Sequence, residues 1–204
     1  DVPPLEYWAR RYNFRPSQEW LDHARMATLR LPGCTASFVS SDGLVMTNHH
    51  CARSCIESAT RPGEDLLTNG FYAPSRSAER ACRGLFIDQL LGITDVTDSV
   101  NAAVAAAPTA ARAAELRAAA VRGLEQRCAA GGTDVVCQVV PMYRGGQYKL
   151  YRFRRFTDAR LVFAPEDSIT FFGGDPDNFV YPRHDLDVSF YRVYVNGEPA
   201  HTEH

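Results

Sequence analysis

The sequence has 204 residues, of which 45% are hydrophobic. This is enough to bury one substantial core and leaves room for a second small lobe. Its formal net charge of −2 leaves no basic surplus to neutralise phosphates, which argues against a nucleic-acid partner. No apolar run reaches the length of about 18 residues that a membrane span requires, so we expect a globular protein with no membrane span.

The cysteines and the start of the chain point to an oxidising compartment. An even number of cysteines is typical of a disulfide-bonded protein, although several free buried thiols are the alternative. The chain begins at Asp1 without a basic and then apolar leader, which fits a mature protein whose signal peptide has been removed, or a shortened form of a longer chain. We therefore expect a periplasmic or secreted protein. The six cysteines are Cys34, Cys51, Cys55, Cys82, Cys128 and Cys137.

The first predicted elements are a helix and a hairpin. Apolar residues at helical spacing predict a helix over residues 17–30, starting behind Pro16 and stopping at Pro32. The period then changes to two, and the Ser41-Asp42-Gly43 turn predicts a hairpin of strands over residues 35–40 and 44–48.

The rest of the chain reads as strands around one helical insertion. An Ala-rich helical segment covers residues 97–130, interrupted at Pro108. Several short strands with such an insertion indicate a small closed β-barrel with helical additions. We expect a helical lead-in over residues 1–32, then a β-barrel over 33–204 that carries the insertion. The remaining strands are predicted at residues 85–91, 135–143, 147–156, 159–164 and 188–195.

The segment 33–51, GCTASFVSSDGLVMTNHHC, is the most informative in the chain. A predicted hairpin ends in His-His-Cys, and His50 directly precedes the cysteine. A general base must be held within hydrogen-bond reach of its nucleophile, so we take His50 as the candidate base. We interpret His49 as a loop histidine that satisfies backbone groups.

A zinc site is the alternative interpretation of the same segment. Imidazoles and thiolates are good zinc ligands, and four of them lie close together in the sequence. Neighbouring side chains diverge, however, which gives poor tetrahedral geometry, and we expect no metal and no other cofactor. The four potential ligands are His49, His50, Cys51 and Cys55.

The second informative segment covers residues 172–193, where a loop rich in Gly, Pro, Asp and Asn runs into an alternating strand. In a catalytic triad a carboxylate accepts a hydrogen bond from the imidazole Nδ1 and stabilises the imidazolium. Asp187 opens the strand and is the candidate carboxylate. Asp185 lies on the same side of an extended strand and is the second candidate, and turn capping is the non-catalytic interpretation of both.

Taken together and in this order, the two segments resemble the bacterial dipeptidyl-peptidase family of chymotrypsin-like serine peptidases, which includes dipeptidyl peptidases seven and eleven. Three further stretches agree: NGFYA at 69–73, the segment 139–148 with its GGQY turn, and FTDARLV at 156–162. The resemblance covers roughly residues 33–199 and only the N-terminal part of the family's length.

The resemblance implies a function and a set of roles. It implies one chymotrypsin-like β-barrel of a two-barrel peptidase that removes dipeptides from the free N-terminus of oligopeptides. His50 and Asp187 would be the triad histidine and aspartate. Asn178 would bind the substrate's α-amino group, and Phe179 stands where relatives often have Trp. The nucleophilic serine and its oxyanion hole would belong to the second barrel, because this sequence has no Gly-x-Ser-Gly-like motif.

The resemblance also bears on the disulfides. In the chymotrypsin-like layout a cysteine early in the hairpin pairs with the one after the catalytic histidine, which implies Cys34–Cys51. A Cys128–Cys137 bond would close the intervening Gly-Gly turn, and Cys55–Cys82 then remains. Six cysteines allow fifteen pairings.

Two functions stay open at this point. The first is the catalytic barrel just described, whose partners would be the peptide substrate, the second barrel and the helical domain of the same peptidase. The second is a noncatalytic secreted module that holds peptides on the same barrel. A lone barrel would expose an apolar face, so a homodimer is also open.

Overall fold

The structure is a computed structural model that describes residues 3–174, 176 and 180–203. It is mainly β. The strands are β1 (Thr28–Leu31), β2 (Cys34–Phe38), β3 (Leu44–Thr47), β4 (Phe71–Tyr72), β5 (Arg80–Ala81), β6 (Ile87–Asp95), β7 (Val135–Met142), β8 (Gln147–Phe156), β9 (Asp158–Ala164), β10 (Ser189–Val195) and β11 (Glu198–Pro199). The helices are α1 (Leu5–Tyr12), α2 (Gln18–Ala27), α3 (His49–Ala59), α4 (Leu66–Asn69), α5 (Thr97–Val104), α6 (Ala110–Ala129) and α7 (Asp167–Thr170).

The strands form one antiparallel sheet in the order β4-β9-β10-β3-β2-β1-β6-β8-β7, with β11 paired to β10 and β5 to β9. The expected mainly β fold with helical insertions is confirmed. The sheet is nevertheless open, because no pairing among the described residues joins β4 to β7. β7 packs against α6 instead.

The β2–β3 hairpin forms at the predicted turn and fixes the start of the site. Gly43 has a φ of 72°, in the left-handed region that favours glycine. A Cβ there would lie 2.9 Å from the carbonyl oxygens of Val193 and Ala200, so a side chain would also collide with the backbone of the neighbouring chain segment. The turn therefore packs directly against β10.

One predicted boundary needs correction near the N-terminus. The predicted helix over residues 17–30 begins correctly, with the Ser17 hydroxyl accepting a hydrogen bond from the Trp20 N–H at 3.1 Å, but it ends at Ala27. The next four residues form β1 because alternation of period two buries Leu29 and Leu31 in the core. The sheet thus begins within the predicted lead-in, and the division of the chain at residue 33 stays a prediction.

The main core lies under the centre of the sheet and under α3. Its fully buried side chains come from strands that are distant in sequence, so it joins both halves of the chain. A separate small cluster lies between α5, α6 and the ends of β7 and β8, at the predicted helical insertion with its break at Pro108. The large side chains of the main core that are at most 2% exposed are Leu29, Val45, Ile56, Ile87, Phe156, Leu161, Tyr191 and Val193.

No helix among the described residues combines the length and apolar character that crossing a membrane requires.

A buried carboxylate holds the middle of the sheet. The side chain of Asp88 is 0% exposed and accepts two hydrogen bonds from Arg155, at 2.7 and 2.9 Å, and one from Arg30 at 2.7 Å. Each guanidinium also stacks on an aromatic ring, Arg155 on Phe86 and Arg30 on Phe153. Burial alone would raise the pKa of Asp88, but the two arginines outweigh it and hold the pKa below its ordinary value.

We expect Asp88→Asn to lower the free energy of unfolding at neutral pH by about 2–3 kcal/mol, since two part-buried guanidinium groups lose their counter-charge. The depressed pKa means that the wild-type carboxylate stabilises the fold above its unfolded pKa near 4 and loses that contribution as pH falls through its folded value. Urea unfolding between pH 7 and pH 3 should therefore show a smaller acid-induced loss in the variant. An equal loss in both proteins would contradict this account of Asp88.

Candidate active site

The predicted base lies at the start of a helix. His50 is the second residue of α3, which follows directly after β3. Asn48 occupies the N-cap position but makes no capping bond to its own helix, since its amide donates to Asp187 instead. The expectation of a loop at the histidines is therefore wrong. Burial of Ala52, Ile56 and Ala59 at helical spacing explains why α3 forms here.

The carboxylate of Asp187 reaches this helix end. Its Oδ2 lies 2.7 Å from the Nδ1 of His50, and its Oδ1 accepts the backbone N–H of His50 at 3.0 Å. That N–H is one of the first-turn donors without a partner inside the helix, so the carboxylate both caps α3 and orients the imidazole. The structure brings His50 and Asp187 together as the triad interpretation requires.

Two residues that the sequence did not indicate complete the surroundings of Asp187. The amide of Asn48 donates to Oδ2 at 3.1 Å, and the Nη2 of Arg183 donates to the same oxygen at 2.7 Å. Asp187 is only 5% exposed, and its burial works to raise its pKa. The hydrogen bonds from His50 and Arg183 outweigh burial, so the pKa of Asp187 lies below its usual value and the group is a carboxylate at neutral pH.

The tautomer of His50 follows from this arrangement. A carboxylate only accepts hydrogen bonds, so the neutral imidazole carries its proton on Nδ1 and presents the lone pair of Nε2. The ring is 63% exposed, and within the described residues Nε2 has no hydrogen-bond partner. No described serine hydroxyl bonds to it. The ring is thus prepared to take a proton from a group supplied from elsewhere.

Asp185, the second candidate carboxylate, has a different role. Its side chain is 1% exposed and accepts the Nε and Nη2 of Arg183, the latter at 3.3 Å. It makes no hydrogen bond to His50. The structure therefore favours Asp187 as the partner of the imidazole.

His49 also differs from the interpretation given to it. It is a buried residue at the start of α3, and its Nδ1 lies 3.2 Å from the Oγ of Ser189 at the start of β10. Burial lowers the pKa of His49 and favours the neutral ring. Two adjacent histidines thus contact the same strand region, His50 through Asp187 and His49 through Ser189.

All three expected cysteine pairs are disulfides: Cys34–Cys51, Cys55–Cys82 and Cys128–Cys137. The sulfur atoms of Cys34 and Cys51 and a ring nitrogen of His50 lie within 4.8 Å of one another, close enough for a metal site in principle. A disulfide sulfur is not a thiolate, however, and all the cysteines of the zinc alternative are bonded in this way. The residues present do not fit a zinc site.

The imidazole stands between two surface depressions. One, of about 530 Å³, is lined by Arg30, Leu31, Gly33, Cys34, Thr35, Asn48, His50 and Cys51. The other, of about 430 Å³, is lined by His49, His50, Arg53, Asp167, Thr170, Phe171 and Asp187. Among the described residues, His50 is the one that lines both depressions. The predicted amine-binding residues Asn178 and Phe179 lie outside the described residues.

The disulfide beside His50 leads to a prediction. Replacing Cys34 and Cys51 by serine should lower the free energy of unfolding by about 3 kcal/mol, as expected for a 17-residue separation, and should make the His50 ring more mobile because it loses its covalent anchor. The matched control replaces Cys128 and Cys137, which are 9 residues apart on α6 and β7. It should lose comparable stability and leave the His50 ring as ordered as in the wild type, which NMR relaxation of the ring measures. Equal ring mobility in both variants would contradict the anchoring role.

Comparisons with known proteins agree with this geometry. Residues 4–204 match the family model described as Peptidase S46. Dipeptidyl-peptidase 7 of Phocaeicola vulgatus is 37% identical over an alignment of 174 residues, and the match covers 82% of this chain and 24% of that protein. The Asp/Glu-specific dipeptidyl-peptidase of Shewanella putrefaciens is 37% identical over an alignment of 179 residues. The match covers 85% of this chain and 24% of that protein.

A solved structure matches as well. The crystal structure of Porphyromonas endodontalis DPP11 in complex with the dipeptide Arg-Asp has a TM-score of 0.74 and 31% identity, and the match covers 88% of this chain and 27% of that one. The match is consistent with the chymotrypsin-like fold that the resemblance implies. This chain spans about a quarter of the length of the relatives it matches.

Proposed function

The chain belongs to the peptidase S46 family, and on this premise we propose that it is the N-terminal catalytic part of a serine-type dipeptidyl peptidase. In this proposal it supplies the general base His50 and the orienting carboxylate Asp187. The nucleophilic serine and its oxyanion hole come from a part of the peptidase outside these 204 residues. The substrate is an oligopeptide with a free N-terminus.

The observation that carries the proposal is the 2.7 Å contact between the His50 Nδ1 and Asp187 on an exposed ring, whose Nε2 has no hydrogen-bond partner among the described residues. Nε2 would take the hydroxyl proton as the serine attacks the scissile carbonyl, and Asp187 would stabilise the imidazolium. The same nitrogen would then give the proton to the leaving amine.

The two depressions support a peptide substrate. We propose that the N-terminal dipeptide lies on the side of Thr170 and Phe171, which precede Asn178 and Phe179 in the chain. The amide oxygen of Asn178 would accept a hydrogen bond from the substrate ammonium, and the Phe179 ring would add a modest cation–π attraction. The leaving peptide would pass the Cys34–Cys51 side.

Compartment and partners complete the proposal. Three disulfides support export to the periplasm or secretion, since such bonds persist in oxidising environments. The remainder of the peptidase is the main proposed partner. Exposed aromatic side chains between α7 and β10, Phe172 at 62% and Tyr181 at 98%, support contact with that remainder or with a second copy of the chain.

The test is product identification by mass spectrometry. The full-length peptidase is incubated with an oligopeptide whose N-terminus is free and with the same peptide N-acetylated. The proposal predicts successive release of dipeptides from the free form and none from the acetylated form. Internal cleavage or release of single residues would overturn the exopeptidase assignment, and binding without hydrolysis would favour the peptide-holding module.

A further inference from the structure

An arginine links the two aspartates that precede β10. Arg183 donates through Nε and Nη2 to Asp185, and through Nη2 to the Oδ2 of Asp187 at 2.7 Å. Asp185 is almost fully buried, with 1% of its side chain exposed, and its two hydrogen bonds fix the position of the Arg183 guanidinium. The planar fork of arginine can serve two carboxylates at once, which a lysine ammonium does with much less directional control.

Arg183 and the candidate base His50 bind the same carboxylate oxygen of Asp187. The Oδ2 of Asp187 accepts from three donors: the His50 Nδ1 at 2.7 Å, Arg183 at 2.7 Å and Asn48 at 3.1 Å. His50 therefore shares its carboxylate oxygen with a permanent positive charge. A cation bound to that oxygen weakens the attraction between the carboxylate and any positive charge that develops on the imidazole.

Other charged groups near the pair are bound to different partners. Arg30, which lines a depression together with His50, donates to Asp88 at 2.7 Å and to Gln138 at 2.7 Å. On α3, Arg53 is bound to Asp167 at 3.2 Å and to Glu57 at 3.6 Å, and it makes no hydrogen bond to Asp187. His49 is buried beside the pair and favours its neutral form. Among the described residues, Arg183 is thus the one permanent cation that hydrogen-bonds directly to the Asp187 carboxylate.

We propose that Arg183, held by Asp185, is a positioning residue of the catalytic pair that shares the Asp187 carboxylate with His50 and so extends activity to lower pH. This inference rests on the proposed function. Arg183 acts through Asp187 and is not expected to touch the substrate. The role separates into two parts that substitution can distinguish: the positive charge sets the acidic limb of the pH profile, and the fork sets the position of the carboxylate.

The experiment measures kcat/KM against pH for the full-length peptidase and its Arg183 variants. Arg183→Met removes the charge, and we expect the acidic midpoint of the profile to rise by about 0.5–1 pH unit, the shift typical of losing one nearby charge. Arg183→Lys keeps the charge and loses the fork, so its plateau should fall several-fold while its acidic midpoint stays within about 0.2 unit of wild type. If the Met variant does not fold, Arg183→Gln provides the same uncharged test.

The matched control is Arg160→Met. Arg160 makes a similar two-bond contact with an aspartate two positions away, to Asp158 at 2.9 and 2.7 Å, and its exposure is similar to that of Arg183, 28% against 34%. It lies on β9 and contacts neither His50 nor Asp187. We expect its acidic midpoint to match that of wild type.

The outcomes are separable from those of the proposed function. If the wild type shows no dipeptide release that depends on His50, the proposed function fails. If the wild type behaves as proposed but the uncharged Arg183 variant keeps the wild-type acidic midpoint, the inference on Arg183 is overturned while the proposed function stands. A rise shared by the Arg160 control would also overturn it.

Discussion

His50→Ala in the full-length peptidase should lower kcat/KM by a factor of about 10⁴ or more. The substitution removes the group that takes the nucleophile's proton and returns it to the leaving amine, and loss of a triad member leaves only the contribution of the oxyanion hole and substrate binding. The loss should fall on kcat, because the imidazole works on the reacting atoms rather than on the distant parts of the peptide. Steady-state kinetics with fluorogenic dipeptidyl substrates measures both constants.

His201→Ala is the matched control, since His201 is an exposed histidine near the end of the described chain. Its kcat/KM should equal that of wild type. The thermal midpoint of His50→Ala should also stay close to wild type, because the ring is 63% exposed and contributes little to the core. A His50→Ala enzyme that keeps more than a tenth of wild-type activity would remove His50 from the role of base.

Asp187→Asn should lower kcat/KM by about 10⁴ with little change in KM. The Asn amide can donate a hydrogen bond where the carboxylate only accepted, so the neutral imidazole would be held with its proton on Nε2, where it cannot act as a base. The variant also loses the negative charge that stabilises the imidazolium. The measurement is kcat and KM across the pH range in which the wild type is stable.

Asp185→Asn separates the two candidate aspartates. Asp185 contacts Arg183 and not His50, so its variant should keep activity within about tenfold of wild type. The two variants remove the same charge from side chains two positions apart, which controls for general electrostatic effects. A larger loss in Asp185→Asn than in Asp187→Asn would mean that the wrong carboxylate was assigned.

The parts of the fold that the sequence predicted are those set by local patterns. β8 was predicted with its observed bounds, Gln147–Phe156, because it follows a Gly-Gly turn and is rich in aromatic residues. The β2–β3 hairpin was predicted from the Asp42-Gly43 turn, where the left-handed φ of Gly43 is realised. The helical segment also breaks around Pro108 and ends before the Gly-Gly stop, as predicted.

The parts that were missed depend on contacts between distant segments. α3 carries a helical apolar pattern, but its polar and histidine-rich start resembles a loop, and the helix is stabilised there by Asp187, 137 positions away from His50. β1 is only four residues long and is defined by its pairing with β2 and β6. The closed barrel was inferred from the number of strands, whereas closure depends on which edges meet.

The candidate site shows the same division. His50 and Asp187 could be selected from their motifs, because each motif places one residue close to a strand, His50 after β3 and Asp187 before β10. Asn48 was open to prediction from the N-cap preference of asparagine, although its amide serves Asp187 and not the helix. Nothing in the spacing of Arg183 indicates that it reaches the Oδ2 of Asp187, since that contact follows from the folded path of residues 183–187.

The most direct test of the central claim is to locate the nucleophile. The full-length peptidase is treated with a fluorophosphonate probe, which labels activated serines, then digested and mapped by mass spectrometry. The account predicts one labelled serine outside these 204 residues, with labelling lost in His50→Ala. Labelling of a serine within these residues, or labelling that persists without His50, would contradict it.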